Sequence, residues 1–319
     1  MSTPSAGDVA PTPQPGAALL EGQIRAREQL AAEELKPDKP PFRDLWWRYL
    51  VSLVAIAFAV FPAVYIVSTA FNPNPTLSAS TLLPSGFTLD NFRTILSSDQ
   101  EPYLKWYANT MGIAGVTAIL TVFLGALAAY AFSRFRFKGR RTGMLTLLLV
   151  QMFPLFLAFV AIYLIMLRVS DVFSHIGLNT RTGLILVYLG GVLGVNAWLM
   201  KGFFDSIPKE LDESARVDGA TATQIFWVVI LPLGAPVLAV IGLLSFIATL
   251  NEYVLASVLL QEPDKFTLSV GLFTFVSREY GQQWGPFCAG VVMMAVPVVI
   301  LFLFLQRYIA HGLTGGVKG

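Results

Sequence analysis

The segment Ser206–Pro232, SIPKELDESARVDGATATQIFWVVILP, holds the residues best spaced for recognition chemistry. Pro208 suits the first position of a helix, where a missing N–H costs nothing. Glu210, Asp212 and Glu213 place negative charge at the positive end of that helix. Leu211, Ala215 and Asp218 fall on one helical stripe, with Ser214 beside it. Gly219 is able to take the left-handed conformation that ends a helix. Thr221 or Thr223 can cap the next one. Two readings stay open. The helix lies passively on headgroups, which composition favours because interfacial helices are common. Or its stripe fits a groove in a cytoplasmic partner, which the acid-rich face favours, since basic faces are preferred at an anionic leaflet.

Other reactive residue types are scarce. Cys288 stands alone, and His175 and His311 lie far apart, so no internal disulfide and no metal site is expected. Cys288 reads as a small apolar residue. No Gly-Lys dipeptide occurs, which excludes a Walker-type phosphate loop. No Ser/His/Asp or paired-carboxylate constellation is visible, so no catalytic residue is expected. Gln151 and Asn196 lie in apolar runs and either line a path or bond a neighbouring helix. Glu252, after Asn251, is either interfacial or buried against another subunit.

The elements that position these residues follow from composition. Of 319 residues, 13% are charged, about half the usual share of a soluble domain. With a mean hydropathy of +0.64, the chain reads as an integral membrane protein, and disorder is excluded for most of it. The net charge of +2 shows no basic excess that would suggest nucleic acid. Six stretches approach the roughly 20 apolar residues that a span needs. They are Leu50–Phe71, Met111–Phe132, Met144–Leu167, Gly183–Met200, Trp227–Leu250 and Phe287–Leu305. Pro232 and Pro236 are expected to bend the start of the fifth. Before the first span lies a tail, 1–45, proline-rich to residue 17, with a short charged helix expected over Leu19–Lys36. The transmembrane body is 46–310, with a loop at 206–224, and a glycine-rich end follows at 311–319.

Placing both termini in the cytoplasm puts 16 of the 22 Lys and Arg inside. The run Arg134–Arg141 alone holds five, with no acid. Three external segments result, Asn72–Lys105, Arg168–Thr182 and Gln261–Pro286. The last contains Phe266, Phe273, Phe275, Tyr280 and Trp284. These aromatics either pack at the membrane face or touch a sugar or a partner, and interfacial packing is the commoner case.

Glu213-Ser214-Ala215, Asp218-Gly219-Ala220 and Ile230-Leu231-Pro232 resemble the EAA motif of importer-type ABC permeases, with Ser214 where alanine is usual. Phe87–Leu96 (FTLDNFRTIL), Ala129–Arg140 (AYAFSRFRFKGR), Gln151–Pro154 (QMFP), Ile176–Gly191 and Gly312–Gly319 (GLTGGVKG) extend the likeness. Together they resemble the MalG-like permease subunit of maltose/maltodextrin ABC importers, from about residue 45 to the end. The resemblance implies an all-α fold of six transmembrane helices, the type I importer (MetI-like) permease. It implies that Glu213, Ser214, Ala215, Asp218 and Gly219 form a coupling helix seated in an ATPase cleft. It implies that His311, Gly312, Gly315 and Gly316 reach toward the ATPase subunits, where residues alone would suggest a frayed end. The loop with Phe275, Tyr280 and Trp284 would face an extracytoplasmic sugar-binding protein. Partners would be a second related permease subunit, two ATPase subunits that bind ATP and Mg, that binding protein, and the bilayer of a bacterial inner membrane. No cofactor is expected in this chain.

Competing readings are a permease for another oligosaccharide such as trehalose, or for a glycerol phosphate, and an ion-coupled carrier or channel. A carrier should show acids or histidines deep in several spans, and only Glu252 comes near. A purely structural scaffold has no use for the loop at 206–224.

Overall fold

The computed structural model describes residues 27, 42–74, 86–98, 101–277 and 282–314. All regular structure among the described residues is helical. The chain divides into two compact units, Met1–Phe61 and Pro62–Gly319. Helix α1 (Phe42–Phe71) starts in the first unit and ends in the second. It begins ahead of the expected Leu50, so Trp46, Trp47 and Arg48 are helical, with the Arg48 guanidinium 5.4 Å from the Trp47 ring. An aromatic–cation pair at the end of an apolar run suits the bilayer interface. The charged helix expected over Leu19–Lys36 lies outside the described residues except for Arg27.

In the second unit α2 (Asp90–Ser97) packs back on the end of α1. The amide of Asn91 donates to the carbonyls of Ala70 and Asn72, both at 2.9 Å, and Phe71 stacks on Phe87 at 4.7 Å. Helix α3 (Tyr103–Arg134) runs 32 residues, about 48 Å at 1.5 Å per residue. Its small residues let neighbours close in: a Cβ on Gly125 would lie 3.1 Å from the Met200 sulfur. Such residues mark helix packing in a bilayer, where apolar surface gains little by leaving lipid.

The third apolar run is not one straight helix. Helices α4 (Arg140–Gln151) and α5 (Leu155–Val172) meet at 99°. Pro154 has no N–H to continue the ladder and clashes with the preceding turn. The fourth, α6 (Arg181–Ser206), starts at a Thr180 cap, whose hydroxyl accepts from Gly183 N, and bends by 52° near Gly191–Gly194. Gly194 lies under Gln151, whose Nε2 would be 2.6 Å from a Cβ there. Gln151 therefore packs between helices α4 and α6, while Asn196 is half-buried.

Helix α7 (Lys209–Val217) is followed by α8 (Ala222–Ile225), which runs through a π-helical turn at Phe226–Ile230 into α9 (Leu231–Asn251). Pro232 and Pro236 fall at and just after the start of α9. The wide turn directly ahead of Pro232 accommodates its missing N–H, whereas Pro236 lies inside the helix. Helix α10 (Val254–Leu259), a 3₁₀ turn at Pro263–Lys265 and α11 (Leu268–Val276) lead to α12 (Trp284–Thr314). Among the described residues four helices are each long and apolar enough to cross a membrane, and the two bent pairs bring the number to six when each counts as one span.

Candidate functional site

Helix α7 is held by residues of α3 that lie far away in sequence. Asp212, in its first turn, pairs with Arg134 at 2.7 Å, and the two side chains are only 3% and 2% exposed. Arg134 Nη2 also donates to the carbonyl of Ile207 at 3.0 Å. One turn back, the Tyr130 hydroxyl donates to the carbonyl of Ala222 at 3.0 Å. The segment 208–221 is thus fastened at both ends to the last turns of one helix. Ser133 donates to Asp205 at 2.6 Å, and Asp205 also pairs with Lys201, which ties the end of α6 to the same place. Arg140 donates to the carbonyls of Phe132 at 2.6 Å and Ser133 at 3.3 Å.

The turn after α7 is built from two capping motifs in succession. Gly219 has φ +85°. Its N–H donates to Arg216 O at 3.0 Å, and Ala220 N donates to Ala215 O at 2.9 Å. These are the paired bonds of a Schellman cap, which needs a left-handed residue at this position. A Cβ on Gly219 would meet nothing within 4 Å, so conformation and not space calls for glycine. Thr221, rather than Thr223, then caps α8: its hydroxyl accepts from Gln224 N at 3.3 Å, and Gln224 Oε1 accepts from Thr221 N at 2.8 Å. Pro208 sits at the cap of α7, one position before the expected place.

Of the residues expected to couple, Glu213, Ser214, Asp218 and Gly219 are exposed, and Ala215 is half-buried. Asp218, Gly219, Ala215, Ala220 and Gln224 line a surface cleft of about 350 Å³. Asp212 departs from the sequence reading. Its charge is taken up inside the chain by Arg134. The signal available was its i,i+3 spacing to Ala215, which puts both on one face.

At the other end of α3, side chains hold the aromatic segment. Trp106 Nε1 donates to Pro263 O at 2.6 Å, and Asn109 Nδ2 to Asp264 O and Phe266 O, each at 3.0 Å. Leu268 N donates to the Thr110 hydroxyl at 2.7 Å. Phe275, expected to face outward, is instead fully buried, with its ring edge-on to Trp106 at 6.4 Å. An aromatic on α11 is drawn into the core because the segment folds back onto α3. Trp284 is half-buried, donates to Gln282 Oε1 at 3.1 Å and sits edge-on to Phe287. Tyr280 lies outside the described residues. Glu252 is engaged within the chain: it accepts from the Tyr188 hydroxyl at 2.6 Å and from Leu255 N and Ala256 N, capping α10.

His311 and Gly312 belong to the backbone of α12, which continues to Thr314, so the glycine-rich end expected from residue 311 begins as helix. Gly315 and Gly316 lie outside the described residues. Among the described residues no three His, Cys, Asp or Glu side chains are grouped to hold a metal.

The sequence profile of the family described as binding-protein-dependent transport system inner membrane component matches residues 121–315. The galactooligosaccharides transport system permease protein GanQ of Bacillus subtilis (strain 168) is 38% identical over 277 residues, covering 86% of this chain and 96% of that protein. The maltose/maltodextrin transport system permease protein MalG of Escherichia coli (strain K12) is 38% identical over 287 residues, with the same coverage. Among solved structures, a chain of a bacterial ABC transporter involved in the import of the acidic polysaccharide alginate superposes with a TM-score of 0.69 at 27% identity. The match covers 86% of this chain and 99% of that one.

Proposed function

Because the chain belongs to the family of binding-protein-dependent transport system inner membrane components, we propose that it is the permease subunit of an ATP-driven importer of neutral oligosaccharides, with maltose/maltodextrin as cargo. The carrying observation is the short helix α7, pinned to α3 at its start through Ile207 and Asp212 and, beyond the turn that follows it, through Ala222. A helix meant only to float on headgroups needs no such attachment. Force applied to Glu213, Ser214 and Asp218 by a docked ATPase subunit passes directly into the membrane-spanning α3. ATP and Mg belong to two such ATPase subunits, a second related permease completes the membrane body, and an extracytoplasmic sugar-binding protein delivers cargo. Both termini lie in the cytoplasm, in a bacterial inner membrane. His311, Gly312, Gly315 and Gly316 form the end that approaches the ATPase subunits, and the surroundings of Tyr280 and Trp284 face the binding protein.

A galactooligosaccharide is the second reading, favoured by the equal 38% identity of the Bacillus relative. The test is reconstitution of the complex with its binding protein. Maltotriose is expected to stimulate ATP hydrolysis and enter the vesicles. Stimulation by galactooligosaccharides alone would select the second reading. Uptake that persists without ATP would overturn both.

A further inference from the structure

A cavity of about 640 Å³ opens between the start of α4 and the second half of α6. That volume lies within the roughly 300–1,000 Å³ of ordinary ligand clefts. One wall is apolar, with Leu145, Leu148 and Trp198, and the rim carries Arg140, Arg141 and Lys201. Three cations share one carboxylate, Asp205, which lies within electrostatic reach of Arg140 as well as Lys201. Lys201 pairs with Asp205. Arg140 is oriented by the carbonyls of Phe132 and Ser133, which leave its charge in place. Arg141 is exposed. Both arginines stand in the first turn of α4, which contains no acid. Two cations at the positive end of a helix dipole repel it, and a bound anion would turn that repulsion into attraction.

We propose that this cavity binds an anionic phospholipid, with the phosphate at Arg140 and Arg141 and an acyl chain along Leu145, Leu148 and Trp198. A soluble anion has no use for the apolar wall, and a zwitterionic lipid gains little from the rim. Basic pockets between spans on the cytoplasmic side are suited to such headgroups. The leaflet assignment rests on the orientation proposed above; the cavity and its charges do not.

The test uses the full-length protein with its co-purifying subunits in phosphatidylcholine nanodiscs. Brominated phosphatidylglycerol or brominated phosphatidylcholine is titrated in, and the fluorescence difference between wild type and Trp198→Phe isolates the tryptophan at the cavity wall. Phosphatidylglycerol is expected to quench at lower mole fraction, and Arg141→Gln to weaken that preference about fivefold. The wild-type preference is itself a test that needs no variant to fold. Equal quenching by both lipids would overturn the proposal, as would a preference unchanged by Arg141→Gln. Displacement by free glycerol phosphate would mark a soluble-anion site and overturn it too. Preference that emerges only when residues 2–41 are removed would give the cavity to that acid-containing tail instead. Absence of ATP-driven sugar uptake by the unaltered complex, with lipid preference intact, would count against the importer reading alone.

Discussion

At the scale of single residues, the Arg134–Asp212 pair carries the sharpest expectation. Both side chains are almost wholly withdrawn from water. Removing one partner leaves the other's charge buried, which costs about 3–5 kcal/mol. Replacing both by apolar groups is often close to neutral. Arg134→Met should therefore lower the thermal midpoint and membrane abundance of the complex sharply, and Arg134→Met with Asp212→Leu should recover most of the loss. A double variant as unstable as the single one would show that the pair is not the source. Little of this is legible in the sequence. Asp212 reads as a charge suited to a helix N-terminus, and Arg134 as one positive residue in a cytoplasmic run. Both readings are locally sound, yet neither reveals a partner on a distant element. Phe275 shows the same limit, since interfacial and core aromatics look alike in sequence.

At the scale of elements, the turn between α7 and α8 is legible because its chemistry is local. Gly219 and Thr221 act through bonds that stay within the turn, so their types announce their conformations. Gly219→Pro should break this turn. Proline fixes φ near −65° against the observed +85°, and it removes the N–H that donates to Arg216. The loop lies outside the apolar runs, so the chain should still reach the membrane at normal abundance. Association with the ATPase subunits and sugar uptake should both be lost. Normal association would return α7 to the passive reading. Glu213 stands mid-helix, past the first turn expected for it, so Glu213→Lys should weaken the same association by reversing an exposed charge on the surface offered to the ATPase subunit, measured by co-purification. The break between α4 and α5 is less legible. Hydropathy averages over a window of about 19 residues, and Met144–Leu167 stays apolar across Pro154. The proline is visible, but its effect on the path of the chain depends on how Gln151 packs over Gly194.

At the scale of the whole molecule, the count of apolar runs and the proposed orientation rest on two physical quantities that sequence reports directly. One is apolar length, and the other is the placement of Lys and Arg. The proposed orientation gathers 16 of 22 such residues on one side, with the loop after α3 in the cytoplasm and the segment after α10 outside. The structure offers test positions at both places. Lys138 and Gln261 are each exposed, while the native Cys288 is buried. In a Cys288→Ala background, a membrane-impermeant maleimide added to intact spheroplasts should label Gln261→Cys and spare Lys138→Cys. Permeabilisation should then expose Lys138→Cys. The comparison is sharp because α3 and its neighbours separate the two positions by an apolar layer about 30 Å thick. No local rearrangement of a loop carries a cysteine across that distance. Labelling of Lys138→Cys first would invert the chain, move α7 away from any cytoplasmic ATPase and remove the physical basis of coupling through α3.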